Sequence, residues 1–450
     1  MILTALLLAL NLADAVPARW PSVDPKTLEL LANTPVNMLL VDRAPASAAF
    51  AEQAAARGVT VLVAVRSGVD VAASARRAVA SKLAGIVLEG EFPPTAAQAV
   101  RDVGLVVIEL PPRSAIRFDP AAPVIGSYQG VWPGIRPQTK AAATGGPWIE
   151  TNTGFLRFLR AATTAPVWIG NLPPPKTIIP AEAYLQAICD AAVAGARWIV
   201  ALDDGFSARL LAREPGALND WRRIGALLQF FEEYKEWRSW QPYSRLAVVQ
   251  DADSGAMLSG GILDMIVTRH MPVRPVPVPK LTTEALEGAK WAVNVDPAAL
   301  APAQKDVLRA FTRAGGTLLN GPPGWKFPAP RDNQITLGEK ELAQIDDIWK
   351  GMNSMIGRTN LGVRLFNVAG TLSSLLGAPD GKRVVLQLVN YTNYPVESVT
   401  AHVLGKFTRA RLYSPGKPAR DLEVYPLEDG VGVDIPQVAV LAAIVLNTTA

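Results

Sequence analysis

The 450-residue sequence is poor in cysteine, histidine and charge, and each shortage excludes something. A single cysteine, Cys189, rules out an internal disulfide. It lies in the apolar helical segment Ala187-Ile188-Cys189-Asp190-Ala191-Ala192, where a small buried packing residue is expected over a catalytic thiol. Two histidines, His270 and His402, are too few for a histidine-rich metal site, and no H-E-x-x-H occurs. A Ser-His-Asp triad would have to use one of them, and neither stands in a suggestive motif. No metal or cofactor is therefore expected. Charged residues make up 19% of the chain, and the net charge of +4 is not gathered into any basic block, so a nucleic acid partner is not expected. After the first residues no apolar run is long enough to span a membrane.

What is present is a chain able to bury cores, with 49% hydrophobic residues and a length that suggests two or three domains. The opening run MILTALLLALNLADA ends in Ala13-Asp14-Ala15, the small-x-small pattern of a signal-peptide cleavage site. Residues 1–15 are expected to be a signal peptide and the protein periplasmic or secreted. The usual Lys/Arg at the start is missing, and the alternative is a buried first element.

From Val36 to Leu202 short β-branched or Leu-rich runs alternate with Ala-rich amphipathic segments. The runs are Val36–Val41, Val59–Val65, Gly85–Leu88, Leu105–Leu110, Val124–Tyr128, Val167–Gly170 and Trp198–Leu202. Apolar strands separated by helices are parallel strands buried on both faces. Seven of them point to a TIM-like (β/α) barrel over residues 16–242, one strand short, with Val23–Leu31 or a segment after Asp204 to close it. No G-x-G-x-x-G follows the first strand, which argues against a dinucleotide-binding sheet. A second α/β unit is expected over 243–335, a helical connector over 336–363, and a small antiparallel β-sandwich over 364–450.

Three passages carry a resemblance. They are Leu300-Ala301-Pro302-Ala303-Gln304-Lys305-Asp306-Val307-Leu308 followed by Gly315-Gly316-Thr317-Leu318-Leu319, then Leu386-Gln387-Leu388-Val389-Asn390-Tyr391-Thr392, and Val433-Asp434-Ile435-Pro436 before an apolar last strand. Together with the domain order, they resemble multi-domain glycoside hydrolases of the β-galactosidase-like type, which join a barrel, an amidotransferase-like domain and a β-domain. The resemblance implies a carbohydrate substrate, and the central domain is expected to serve structure or homo-oligomerisation because it lacks a nucleophilic thiol. Two departures stand out. The barrels of that group usually carry an Asn-Glu pair after the fourth strand, whereas the fourth run here ends Val106-Val107-Ile108-Glu109-Leu110. The central segment also has no cysteine, so a true amidotransferase nucleophile is absent.

Chemistry in such a barrel belongs at the C-terminal ends of the strands. Glycoside hydrolysis needs one carboxylic acid to protonate the leaving oxygen and a second carboxylate to attack the sugar or activate water. Glu109 is the expected acid/base, Asp203 or Asp204 its partner, and Glu89 the reserve. Each of these has an alternative as a helix cap or salt-bridge partner. Trp132, Trp148 and Trp168 are candidates to stack on sugar faces, with Glu150 and Asn171 beside them, although Trp168 equally suits barrel filling. An inactive glycan-binding or assembly protein on the same scaffold is the competing reading.

Overall fold

A computed structural model describes residues 12–136, 148–250, 271–321, 339–357 and 362–448. The chain is a mixed α/β protein and divides into two compact units. One comprises Met1–Val131, Thr163–Ala192 and Ala196–Tyr234; the other comprises Trp132–Ala162, Val193–Gly195 and Lys235–Ala450.

The first unit is built on β1 (Pro17–Arg19), β2 (Met38–Val41), β3 (Thr60–Arg66), β4 (Gly85–Glu89), β5 (Val106–Leu110) and β6 (Ile125–Ser127). Two short strands of the other unit follow, β7 (Gly134–Arg136) and β8 (Trp148–Glu150), before β9 (Val167–Gly170) and β10 (Arg197–Ile199) complete the set. β1 to β5 form one parallel sheet in chain order, and β10, β9 and β6 form another. A parallel bridge between Ala18 and Val200 joins β1 to β10, so eight parallel strands run in one series. β5 and β6 share no ladder, although a side chain at Gly126 would come within 3.2 Å of Leu110.

Each expected strand in this unit exists with its ends moved by a residue or a few. The strand that the sequence hides is β1, whose three residues include a proline and an arginine. Val23–Leu31 is not that strand: Pro25–Leu31 is a 3₁₀ helix. The Asp24 carboxylate caps it by accepting from the Lys26 amide at 3.0 Å, and Pro25 supplies a preset first position. Counting β1 moves every later strand up by one, so Glu89 ends the fourth strand and Glu109 lies in the fifth.

Side chains alternate along a strand, and ladder register decides which face each one shares. Leu40, Leu62, Val87, Ile108 and Leu110 pack into one apolar cluster with Tyr128, Trp168 and Ile199. Arg19 is opposite Leu40, and Arg66 and Glu89 continue the alternation of Leu62 and Val87. The face that is apolar along the strands therefore becomes charged at their C-terminal ends.

The second unit holds two further systems. β11 (Gln241–Pro242) precedes β12 (Leu246–Gln250), β13 (Arg274–Pro277), β14 (Trp291–Asn294) and β15 (Thr317–Asn320), and the last four make a parallel sheet in the order β13-β12-β14-β15. The sequence of this unit also predicts a helix around Gly260–Thr268, which lies outside the described residues. The C-terminal strands are β16 (Val363–Phe366), β17 (Thr371–Gly377), β18 (Arg383–Asn390), β19 (Val396–Leu404), β20 (Arg409–Ser414), β21 (Lys417–Leu422), β22 (Val424–Pro426), β23 (Gly430–Val438) and β24 (Leu441–Asn447). They form two antiparallel sheets, and β11 adds to the edge of one of them. Leu386 and Ile444 of one sheet share a core with Val399 and Ile435 of the other. Among the described residues no helix is long and apolar enough to cross a membrane.

Candidate functional site

The charged strand ends of the first unit converge on Arg19. Its guanidinium donates from one terminal nitrogen to Asp42, just past β2, and from the other to Glu89 at the end of β4. Its Nε donates to the Tyr128 hydroxyl at 2.8 Å, and the guanidinium stacks 4.8 Å from the centre of the Tyr128 ring. Arg66, opposite Glu89 in the β3–β4 ladder, lies 3.7 Å from Glu89 Oε2 and 3.5 Å from Asp42. A Cβ at Gly170 would sit 2.9 Å from the Tyr128 ring, so the end of β9 must be glycine for the phenol to lie where it does.

The set joins two arginines to two carboxyl groups and is unevenly buried. The Arg19 and Glu89 side chains are 7% and 3% exposed, while that of Asp42 is 62% exposed. Burial works against the Arg19 charge, but Tyr128, Glu89 and Asp42 outweigh it and hold the guanidinium above the ordinary arginine range. Burial raises the Glu89 carboxyl above the usual carboxylate range, against the pull of Arg19 and Arg66. Burial likewise raises the Tyr128 phenol. Glu89 Oε2 is buried and makes no hydrogen bond among the described residues. The Gln129 amide oxygen, two residues past β6, is in the same condition.

The residues singled out from sequence are distributed unequally. Glu89 is at the centre of the cluster. Glu109 lies on the opposite face of β5, half exposed, 3.6 Å from Arg101 of the helix Pro94–Arg101. Asp203 caps the helix Asp204–Leu211: its carboxylate accepts from the Phe206 amide at 2.8 Å, the Tyr184 hydroxyl at 2.9 Å and the Ile179 amide at 3.2 Å. Asp204 is exposed in the first turn of that helix. Trp168 is fully buried in the apolar cluster, which makes it core filling and not a stacking platform. Asn171 donates to the Gly130 carbonyl at 2.6 Å. Trp132, Trp148 and Glu150 belong to the second unit. Cys189 is buried, and burial pushes its thiol well up.

Sequence reasoning missed Arg19, Arg66 and Tyr128. The available signal was polar residues two positions beyond interior apolar ones on successive strands: Leu40 and Asp42, Ala64 and Arg66, Val87 and Glu89. Among the described residues no cluster of His, Cys, Asp and Glu has the makings of a metal site.

No family model matches the sequence, and no curated protein does. Among solved structures, α-L-fucosidase isoenzyme 2 from Paenibacillus thiaminolyticus superposes with a TM-score of 0.62 at 12% identity, covering 97% of this chain and 99% of that one. A rhamnosidase from Novosphingobium sp. PP1Y matches at a TM-score of 0.42 and 13% identity over 90% of this chain and 39% of that one, too loosely to weigh. At 12% identity the likeness is one of fold alone: this chain is folded like that fucosidase along nearly its whole length.

Proposed function

We propose that the protein is a glycoside hydrolase acting at the C-terminal ends of a TIM-like barrel, with Glu89 as the general acid and Asp42 as its partner carboxylate. The observation that carries this reading is Glu89 itself. It is a buried carboxyl of raised pKa with one oxygen free of hydrogen bonds, at the end of the fourth strand. A general acid must keep its proton near neutral pH, and desolvation is the usual means. The resemblance drawn from sequence implies an acid at the fourth strand, and that strand is now the one ending Leu88-Glu89.

In this scheme Glu89 Oε2 gives its proton to the glycosidic oxygen as the bond to the sugar breaks. Asp42, held on the same guanidinium and open to solvent, faces the developing positive charge at the anomeric carbon. It either attacks that carbon or takes a proton from the attacking water, and the separation of the two carboxyl groups in the substrate complex decides between these courses. Arg19 fixes both carboxylates. The fucosidase-like fold supports a glycan substrate; the Ala13-Asp14-Ala15 pattern supports export to the periplasm or medium.

The test is turnover of a panel of aryl glycosides and oligosaccharides by wild type, Glu89→Gln and Asp42→Asn. Each variant is expected to lose about a hundredfold or more, the usual worth of a positioned acid or base. Full activity in both overturns the assignment. A second reading rests on Arg19, whose single charge is already shared by both carboxylates: a scaffold that binds a glycan without cutting it. Binding by a wild type inert on every substrate establishes that reading instead.

A further inference from the structure

We infer that the glycan carries an anionic substituent, a uronate carboxylate or a sulfate ester, which docks in a basic cleft beside Asp42. This rests on the glycan reading above and specifies its substrate class. An open cleft of about 420 Å³ lies against β3 and the helix Val71–Ala80. That volume falls in the range of roughly 300–1,000 Å³ usual for small-ligand sites. Asp42 and Arg66 line it, and both are members of the Arg19 cluster, so the cleft adjoins one of the two proposed catalytic carboxylates.

The other charged groups on its walls are Arg43 and Arg77. The cleft therefore presents three guanidinium groups to one carboxylate, and that carboxylate is already engaged by Arg19 and Arg66. Among the described residues neither Arg43 nor Arg77 forms an ion pair. Arg77 is held in place: its Nη2 donates to Ser74 Oγ one turn earlier at 3.2 Å, and Ser74 in turn donates to the Asp70 carbonyl at 2.8 Å. The Asp70 carboxylate caps the same helix at 2.9 Å. A positioned guanidinium with unused donors, in one cleft with a second one, is the chemistry of carboxylate or sulfate recognition. A neutral sugar would leave both charges unused.

The experiment measures binding of wild type and the Arg43→Ala/Arg77→Ala variant to arrayed oligosaccharides that are neutral, uronate-containing or sulfated, followed by titration of those retained. Wild type is expected to bind acidic glycans about tenfold or more tightly than matched neutral ones, with affinity falling as salt rises. The double variant is expected to lose that preference and keep the thermal unfolding of wild type, since both side chains are exposed. Lowering the pH through the carboxylate range separates the sources: uronate binding weakens and sulfate binding persists. Equal affinity for neutral and acidic glycans, or a preference that survives in the double variant, overturns the inference. Hydrolysis of neutral glycans with no acidic preference leaves the hydrolase reading standing and this one fallen. Arginine-dependent binding of acidic glycans that are never cleaved does the reverse.

Discussion

Glu89 and Glu109 lie on adjacent strands and on opposite faces of one sheet. Glu89 is in register with Leu110, and Glu109 with Leu88. Partners across a ladder share a face, so the two carboxyls are separated by the thickness of the backbone. One meets buried Arg19; the other meets Arg101 at the helical surface.

That separation predicts different outcomes for one substitution at two places. Glu109→Gln is expected to change stability by no more than about 0.5 kcal/mol, as for an exposed ion pair, and to leave turnover intact. Denaturant unfolding and the aryl glycoside assay check it. A hundredfold loss in turnover for Glu109→Gln would return that residue to the chemistry.

Arg19→Met leaves Glu89 buried without its main counter-charge. Breaking a buried pair in this way costs about 3 kcal/mol at a pH where the carboxyl is ionised. The dependence on pH has a definite sign. A carboxyl whose folded pKa is raised binds its proton more readily in the native state. Stability therefore falls as pH rises from the ordinary carboxylate pKa to the raised value, and is flat beyond it. Removing Arg19 raises that value further and widens the window. Urea titrations across pH should show the variant recovering most of its loss on the acid side, and Glu89→Gln should remove this part of the slope altogether. A loss that does not vary with pH would mean that Arg19 acts through packing alone.

Asp203→Ala removes a helix cap along with acceptors for Tyr184 and Ile179. A cost of about 1–2 kcal/mol is expected from the cap alone. The folded variant should keep its turnover, measured per molecule of native enzyme. A collapse in turnover with no change in unfolding midpoint would restore Asp203 as a catalytic candidate.

Cys189 should resist alkylation by iodoacetamide in the native protein and react once the chain is unfolded, because its thiol is buried and its pKa raised. Mass spectrometry reads both states. Prompt native labelling would show that the helix Ala181–Val193 opens locally.

If residues 1–15 are a signal peptide, protein recovered from the periplasm of a bacterial host begins at Val16. Intact mass decides the point. Leu12 and Ala15 are buried in the apolar cluster of the first unit, so the alternative product, retained in the cytosol with its amino terminus whole, keeps them as core.

The sequence exposes repeated elements better than single ones. β4 and β9 are visible because apolar runs between Ala-rich segments have a strong period. β1 is invisible because Pro-Ala-Arg has no strand period, and it is held by neighbours that only the fold supplies. One missed strand displaced the count and sent the acid assignment to Glu109. β21 was hidden for a different reason: Lys417–Leu422 is polar and exposed along an edge, which is how edge strands avoid unwanted pairing. The site itself was half legible. Acids at strand ends can be found by inspection, but the cation that joins them comes from a segment with no pattern of its own.

The partners of Arg19 lie 23, 70 and 109 residues along the chain. Closing such loops costs entropy before any contact repays it, so this centre forms only when distant strands have docked. A nascent chain that has left the ribosome as far as Glu89 has the guanidinium and both carboxylates but not the phenol, and nothing yet holds β1 on its other side at Val200. The cluster is thus complete only once Tyr128 has joined it, and β1 gains its second neighbour only when the chain reaches Val200.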